Sequence, residues 1–319
     1  MPRLLTPSDL DPFFADPHAV GAAADAVAEA MQALDRGAPL LAWQHLPLDQ
    51  GQMRLAPGHL PGVGSSLRTY GIGGAARGPD APSLMVLWDG TGRLLAVLAD
   101  ERVSLWRTAA PAWLALRLLH PDPVRTIGVL GSGKQAEGQL WGWIALTRTT
   151  LQAVRIYSPT PLHREALARR LTEATGVAVT AVEKAEEAVS GADLIGVASG
   201  ARGPVLEASW VKSGALVVSI GDGQLPPDLI PASAVYVSAR AIFAAPGLQR
   251  QPYAALQEVG RWNVEAIAGD VADLIAGRAP APPKDRPVLF EMPGLSVWDT
   301  AIAALVLRWA ETEGRGQTW

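Results

Sequence analysis

The sequence predicts an α/β chain built on a doubly wound parallel sheet, with a separate strand-rich region before it. Three observations carry this. The chain has 319 residues, and at roughly 100–200 residues per domain that length predicts two domains. Beyond His120-Pro121-Asp122-Pro123, short β-rich runs alternate with helical periodicity, as in parallel strands joined by crossover helices. Gly131-Ser132-Gly133-Lys134-Gln135-Ala136 reads G-x-G-x-x-A behind a hydrophobic strand and ahead of a helix.

In chain order, the first element is a helix from about Pro17 to Arg36. Asp16 is placed to cap it, Pro17 suits its first position, and Gly37 suits its stop. Val20, Ala24, Val27, Met31 and Leu34 form its apolar stripe. Residues 38–82 hold six prolines and eight glycines, so they read as strands and loops rather than helix. A hairpin follows, Ser83–Trp88 and Arg93–Ala99, turning at Asp89-Gly90-Thr91-Gly92. A helix from about Thr108 to Leu119 tolerates Pro111 because it falls in the first turn. The second domain is then placed at 122–293. Its strands are Thr126–Leu130, Val154–Tyr157, Val177–Val182, Leu194–Ala198 and Ala215–Ile220, with helices at about 134–148, 162–175 and 184–189. A strand-like Pro287–Phe290 and a Pro-Gly turn lead to a last helix, Ser296–Glu313, with Trp298, Ala301, Ile302, Leu305 and Trp309 on one face. Periodicity leaves open which domain that helix joins.

Composition excludes several classes of function. At 49% hydrophobic and 18% charged residues, the chain is not a disordered one. A net charge of −4 without basic clusters argues against a nucleic-acid surface. The absence of cysteine removes disulfides, thiolate metal sites and cysteine nucleophiles. The five histidines, His18, His45, His59, His120 and His163, lack ligand spacing, so no metal is expected. No apolar stretch approaches the roughly 18 residues of a membrane span. The N-terminal MPRLLTPSDLDPFF lacks the apolar run of a signal peptide. A cytoplasmic location is expected.

The glycine loop predicts a dinucleotide site. Gly131 permits the tight turn, Gly133 lets the backbone approach a pyrophosphate, and Ala136 allows close packing of helix on strand. The helix that opens with Lys134 and Gln135 offers free N–H groups and a positive dipole end to phosphate. The next strand ends in Ser158-Pro159-Thr160 rather than in the Asp or Glu that usually binds the ribose hydroxyls of NAD. Ser132 lies in the loop itself. Ser158, Thr160 and Arg164 are candidates for a 2′-phosphate, so NADP(H) is favoured and NAD(H) remains possible. Thr108 and Ser199 complete the candidate cofactor contacts.

Four segments together resemble the ornithine cyclodeaminase/mu-crystallin family. Ser104-Leu105-Trp106-Arg107-Thr108-Ala109-Ala110 is similar to its T-x-x-R-T-A-A segment. Gly128 to Ala136 is similar to its G-V-I-G-A-G-x-Q-A. Ser219-Ile220-Gly221-Asp222-Gly223-Gln224-Leu225-Pro226 is similar to its strand with a Gly/Asp turn. Asp299 with Ala301-Ile302-Ala303-Ala304 is similar to its x-Q-D-x-A-x-A. The order and spacing match along nearly the whole chain. The resemblance implies a Rossmann-type domain inserted into an α+β substrate-binding and dimerisation domain, here 122–293 within 1–121 plus 294–319, with the active site in the cleft. It implies a homodimer and a small imino or amino acid as substrate. Members include cyclodeaminases, ketimine and cyclic-imine reductases, and amino-acid or opine-type dehydrogenases.

The resemblance also implies roles. Arg107 matches the family's carboxylate-binding arginine, and a guanidinium suits a planar carboxylate bidentately. Asp222 matches the acidic residue near the nicotinamide and would move a proton at nitrogen. Arg54 matches an upstream arginine. The family's lysine after the first strands is missing, because the four lysines, Lys134, Lys184, Lys212 and Lys284, leave none before residue 134. Arg68 stands nearest that position, with Ser66 next. An arginine holds a carboxylate, but with a pKa above about 12 it releases no proton at neutral pH. Arg54, Arg68 and Arg107 would then form a cationic clamp. The expected activity is an NAD(P)-dependent reductase or dehydrogenase acting on a cyclic ketimine or opine-like substrate. The alternatives are an amino-acid cyclodeaminase, disfavoured by the missing lysine and ribose carboxylate, and a non-catalytic NADPH-binding protein of the mu-crystallin kind.

Overall fold

The computed structural model describes residues 1–72, 83–120, 122–245 and 250–319. The chain opens with β1 (Arg3–Leu5), α1 (Pro7–Ala15) and α2 (Ala19–Asp35). Periodicity does not reveal α1. It starts because the Asp9 carboxylate accepts from both the amide and the hydroxyl of Thr6, fixing the first turn. Helix α2 starts two residues later than expected. Asp16 accepts from the His18 amide, so Pro17 and His18 belong to the turn between the helices. Val20, Ala24, Val27 and Met31 are buried, and Leu34 is half-buried. Gly37, at φ 94°, ends the helix, and the Ala38 amide returns to the Ala33 carbonyl.

Next comes an antiparallel meander of β2 (Gln44–Pro47), β3 (Gln52–Leu60), β4 (Gly64–Ile72), β5 (Leu84–Trp88) and β6 (Leu94–Ala99). The part of the predicted loop region at 73–82 lies outside the described residues. Asp89 builds the β5–β6 turn by accepting from the Thr91 amide and hydroxyl and from the Arg93 amide. Helix α3 runs from Asp100 to Leu119, beginning about two turns earlier than expected. Pro111 is therefore inside the helix, where it removes one backbone donor. Burial of Val103, Trp106, Ala109 and Ala110 holds the helix together across that gap.

The glycine-loop region is a parallel α/β sheet. Its elements are β7 (Thr126–Leu130), α4 (Lys134–Thr147), β8 (Ala153–Tyr157), α5 (Pro161–Thr175), β9 (Val179–Ala181), α6 (Ala185–Val189), β10 (Leu194–Val197), β11 (Leu216–Ser219), β12 (Ala234–Val237), α7 (Arg240–Ala244), α8 (Tyr253–Glu258), β13 (Ile267–Asp270), α9 (Val271–Ile275) and β14 (Val288–Glu291). The strand order is β13-β12-β14-β11-β10-β7-β8-β9. The Pro287–Phe290 run is thus a strand within this sheet, between β11 and β12. Strand order reverses at β7, which makes its carboxyl end the switch point where open α/β sheets bind ligands.

The chain ends with α10 (Ser296–Thr312) and β15 (Gln317–Thr318). β15 pairs with β1, giving a mixed sheet of order β15-β1-β6-β5-β4-β3-β2. Trp298 on α10 is buried and donates to the Met31 sulfur on α2, so it is a core residue. The chain divides into two compact units, Met1–Ala110 with Gly294–Trp319, and Pro111–Pro293. The end of α3 falls in the second unit. There the Trp113 indole donates to the Gly138 and Gln139 carbonyls, and a Cβ on Gly142 would strike its ring at 2.1 Å. Among the described residues, no helix is long and apolar enough to cross a membrane.

Asp193 staples the amino ends of β7 and β10. Its carboxylate accepts from the Arg125 and Thr126 amides at 2.7 and 2.9 Å and pairs with Lys212. Burial raises its pKa, but Lys212 and the two amides outweigh this and hold it below the usual carboxylate value. A carboxyl with a lowered folded pKa contributes stability above its unfolded pKa and loses it as pH falls. Asp193→Asn is therefore expected to lower the melting temperature at pH 7, and the gap from the parent should close below about pH 4. Melting curves across that range check it.

Candidate functional site

The glycine loop divides its work between two glycines. Gly131 sits at φ 133°, and a Cβ there would lie 2.2 Å from the Ala198 carbonyl oxygen. Its amide donates to the Tyr157 carbonyl. The fold itself requires this glycine. Gly133 has φ −85° and no neighbour within 4 Å of an added Cβ. Among the described residues nothing requires glycine there, and the space beside its backbone is open to a ligand. Ala136 is fully buried under α4, Lys134 is exposed at its first position, and Gln135 is half-buried.

At the β8 tip the Ser132 hydroxyl donates to the Ser158 hydroxyl at 2.8 Å. A cavity of about 320 Å³ opens here, lined by Gly131, Tyr157, Ser158, Ser199 and Glu207 among others. Thr160 is exposed and precedes α5. Arg164 is 9% exposed, donates to the Ser158 carbonyl at 2.8 Å and lies over the Tyr157 ring. It supports the loop from beneath. The backbone of Ser199 is held from both sides by the Gln224 side chain. A dinucleotide fits these residues: an open backbone at Gly133, a helix amino end at Lys134, and a largely apolar cavity beyond the β8 tip with Ser158 and Ser199 in its wall.

Asp222 is exposed in the turn after β11, between Gly221 and Gly223. One carboxylate oxygen accepts from the Gln251 amide at 2.7 Å. The turn thus places Asp222 at the carboxyl end of the parallel sheet and fixes one of its oxygens.

In the other unit, the residues gather around Asp299 on α10, whose side chain has no exposed surface. Its Oδ1 lies 2.9 Å from Arg68 Nε and 3.2 Å from Arg107 Nε. Both guanidiniums thus face it through Nε. The β3–β4 register pairs Ala56 with Arg68 and Arg54 with Tyr70. Arg54 donates to the Tyr70 hydroxyl at 2.9 Å, and its guanidinium lies 4.6 Å from the Trp43 ring centre. Arg68 lies 4.5 Å from the Tyr70 ring centre. Gly294 leaves room beside this group, for its Cβ would reach Arg107 Nη1 at 2.9 Å and the Trp43 ring at 3.5 Å. Arg107 lies inside α3, about two turns from its start. It is nearly buried and paired with Asp299. Ser66, the other residue near the missing lysine position, bonds Thr300 at 2.8 Å and packs on α10. Thr108 is buried and returns its hydroxyl to the Ser104 carbonyl.

Sequence reasoning gave Asp299 no role. Its signal was a lone carboxylate within the apolar face that starts at Trp298. It also missed Glu291 at the end of β14, which Arg250 contacts. Among the described residues, no cluster of metal-ligating side chains occurs.

The two glycines can be separated by experiment. Gly131→Ala is expected to destabilise the fold by about 1–3 kcal/mol or more. Gly133→Ala should leave the melting temperature unchanged yet weaken nicotinamide-dinucleotide binding. Thermal melts and a fluorescence titration of each variant check this.

The model of the ornithine cyclodeaminase/mu-crystallin family matches residues 47–313. An NAD(P)H-dependent anabolic L-arginine dehydrogenase of Pseudomonas aeruginosa is 30% identical over 223 residues, 68% of each chain. The ketimine reductase mu-crystallin of Mus musculus is 28% identical over 236 residues, 72% of this chain and 69% of that one. Among solved structures, the Delta(1)-pyrroline-2-carboxylate reductase of Thermococcus litoralis, in complex with NADH and L-proline, has the same fold. It superposes with a TM-score of 0.86 at 22% identity, over 99% of this chain and 100% of that one. The matched span covers all four sequence segments, and the chain belongs to the ornithine cyclodeaminase/mu-crystallin family.

Proposed function

We propose that the protein is an NAD(P)-dependent reductase or dehydrogenase that moves hydride between the nicotinamide and the carbon–nitrogen bond of a small imino or amino acid. The observation that carries this is the presence in one chain of two sites. One is a glycine loop open at Gly133. The other is an arginine cluster organised by a buried carboxylate. The relatives named as an arginine dehydrogenase and a ketimine reductase act on the same class of bond.

The bound nicotinamide supplies or accepts the hydride. Arg68 and Arg107, with their planes set by Asp299, bind the substrate carboxylate as permanent cations. Arg54, stacked on Trp43 and held by Tyr70, completes the clamp. Asp222 gives the proton to nitrogen during reduction and takes it back during oxidation. Ser132, Gly133, Lys134 and Gln135 bind the pyrophosphate side of the cofactor, and Ser158, Thr160 and Ser199 its adenosine side. With hydroxyls and no carboxylate at the β8 tip, NADP(H) is the preferred form. Arg68 rather than Ser66 takes the place of the family lysine, since Arg68 reaches Asp299 and Ser66 is spent on Thr300. A homodimer, formed through the unit that contains β1 to β6, is the assembly this reading carries, and a cytoplasmic location goes with it.

The direct test is NADPH oxidation with pyrroline-2-carboxylate, piperideine-2-carboxylate, or pyruvate with an amine. Turnover is expected with at least one. Asp222→Asn should lower it by about 10²–10⁴-fold while NADPH binding stays nearly unchanged. A loss below about tenfold would return Asp222 to a turn-forming role. The second test is Arg68→Lys. It keeps the charge, weakens substrate affinity through lost fork geometry, and introduces a titratable amine. A pH dependence of turnover absent from the parent should appear. An unchanged affinity and pH profile in both Arg68→Lys and Arg68→Ala would place Arg68 outside the site.

A further inference from the structure

We propose that Glu291 and Arg250 are positioning residues for Asp222, a buried ion pair that fixes the backbone turn carrying its carboxylate. This rests on the reading that Asp222 moves the substrate proton. Glu291 ends β14 and stands beside Ser219, the last residue of β11, in the sheet register. The turn 220–223 follows directly. Arg250 Nε donates to Glu291 Oε2 at 2.7 Å, and its Nη2 donates to the same oxygen. That Nη2 also donates to the Gly221 carbonyl at 3.1 Å and the Ile220 carbonyl at 3.4 Å. The next residue, Gln251, donates its amide to Asp222 Oδ1 at 2.7 Å and accepts from the Gly223 amide at 3.0 Å. Residues 250–251 therefore clasp the turn from both sides of Asp222, and Glu291 anchors the clasp.

A buried ion pair is a poor device for stability alone, because desolvating both charges offsets their attraction. Of the two strands that flank β14, β12 ends in the buried, apolar Val237 and β11 in the buried, uncharged Ser219. The charged end of β14 sits instead beside the turn that bears Asp222. The groups facing Glu291 are Arg250, Ser219, Tyr253 and Asp222. Burial pushes the Glu291 carboxyl up, and Arg250 pulls it back toward the charged form. Arg250 in turn feels the charges of both Glu291 and Asp222. The pair therefore sets both the place of the Asp222 carboxylate and the charge next to it.

The test uses the full chain with NADPH and its best imino-acid substrate. Glu291→Gln keeps the shape and removes the negative charge. It is expected to lower kcat by about tenfold or more with KM and NADPH affinity within twofold. In the Asp222→Asn background, Glu291→Gln should cause no further loss. Arg250→Lys supplies a second reading, since lysine keeps the charge but lacks the fork that reaches both Glu291 and Gly221. It should also lower kcat with KM unchanged, and it decides the matter should Glu291→Gln fail to fold. Equal losses in the parent and Asp222→Asn backgrounds, or a loss that falls on KM rather than kcat, would overturn the positioning role alone. An Asp222→Asn variant with full activity would overturn the Asp222 reading first, and the positioning role with it.

Discussion

The first unit depends on a carboxylate removed from water. Asp299 has no exposed side-chain surface, and Arg68 beside it has 3%. An isolated charge in that setting would be strongly destabilising, and a single ion pair often does no better than apolar packing. Two guanidiniums facing one oxygen change the balance, because two positive charges lie within 3.2 Å of it and the partners are held by elements already packed. β4 supplies Arg68, α3 supplies Arg107, and α10 supplies Asp299. The meander, the helix that follows it and the last helix of the chain must therefore assemble together. Arginine suits this arrangement because it stays charged while partly buried, where a lysine would be open to losing its proton.

The glycine loop of the second unit works by backbone rather than by charge. At the carboxyl end of β7 the chain turns too tightly for any side chain at 131, then passes through open space at 133 before α4 begins. The helix points its amino end to where the strand order reverses, as a phosphate site requires. Beside it the β8 tip is held by short polar contacts, Ser132 to Ser158 and Arg164 to the Ser158 carbonyl.

Local signals were legible in the sequence, and long-range ones were not. The glycine loop was readable because its geometry depends on residues adjacent in the chain, and the hairpin at Asp89 for the same reason. Alternating strands and helices gave the parallel sheet, and the motif match gave the return of α10 to the first unit. The start of α3 was missed because Pro111 looked like a boundary, whereas buried Val103 and Trp106 carry the helix across it. The start of α2 was misplaced because Asp16 caps a turn and not a helix. Asp299 and Glu291 were opaque for another reason. Each is a lone carboxylate in an apolar run, and its arginine partners stand in distant segments that only the fold brings near. Arg164 is a phosphate candidate by position, and its bond to the Ser158 carbonyl, which braces the loop, joins two segments that the sequence alone does not connect.

The central claim is that arginines ordered by Asp299 bind a substrate through its carboxylate, so that hydride transfer depends on that group. The most direct measurement compares NADPH oxidation with whichever of pyrroline-2-carboxylate and piperideine-2-carboxylate is turned over faster and with the same ring imine lacking the carboxylate, 1-pyrroline or 1-piperideine. The account predicts turnover of the first, with one NADPH consumed per cyclic amino acid formed, and a loss in kcat/KM of at least about tenfold for the second, as removal of a charge-assisted contact requires. Equal turnover of the two imines would contradict it.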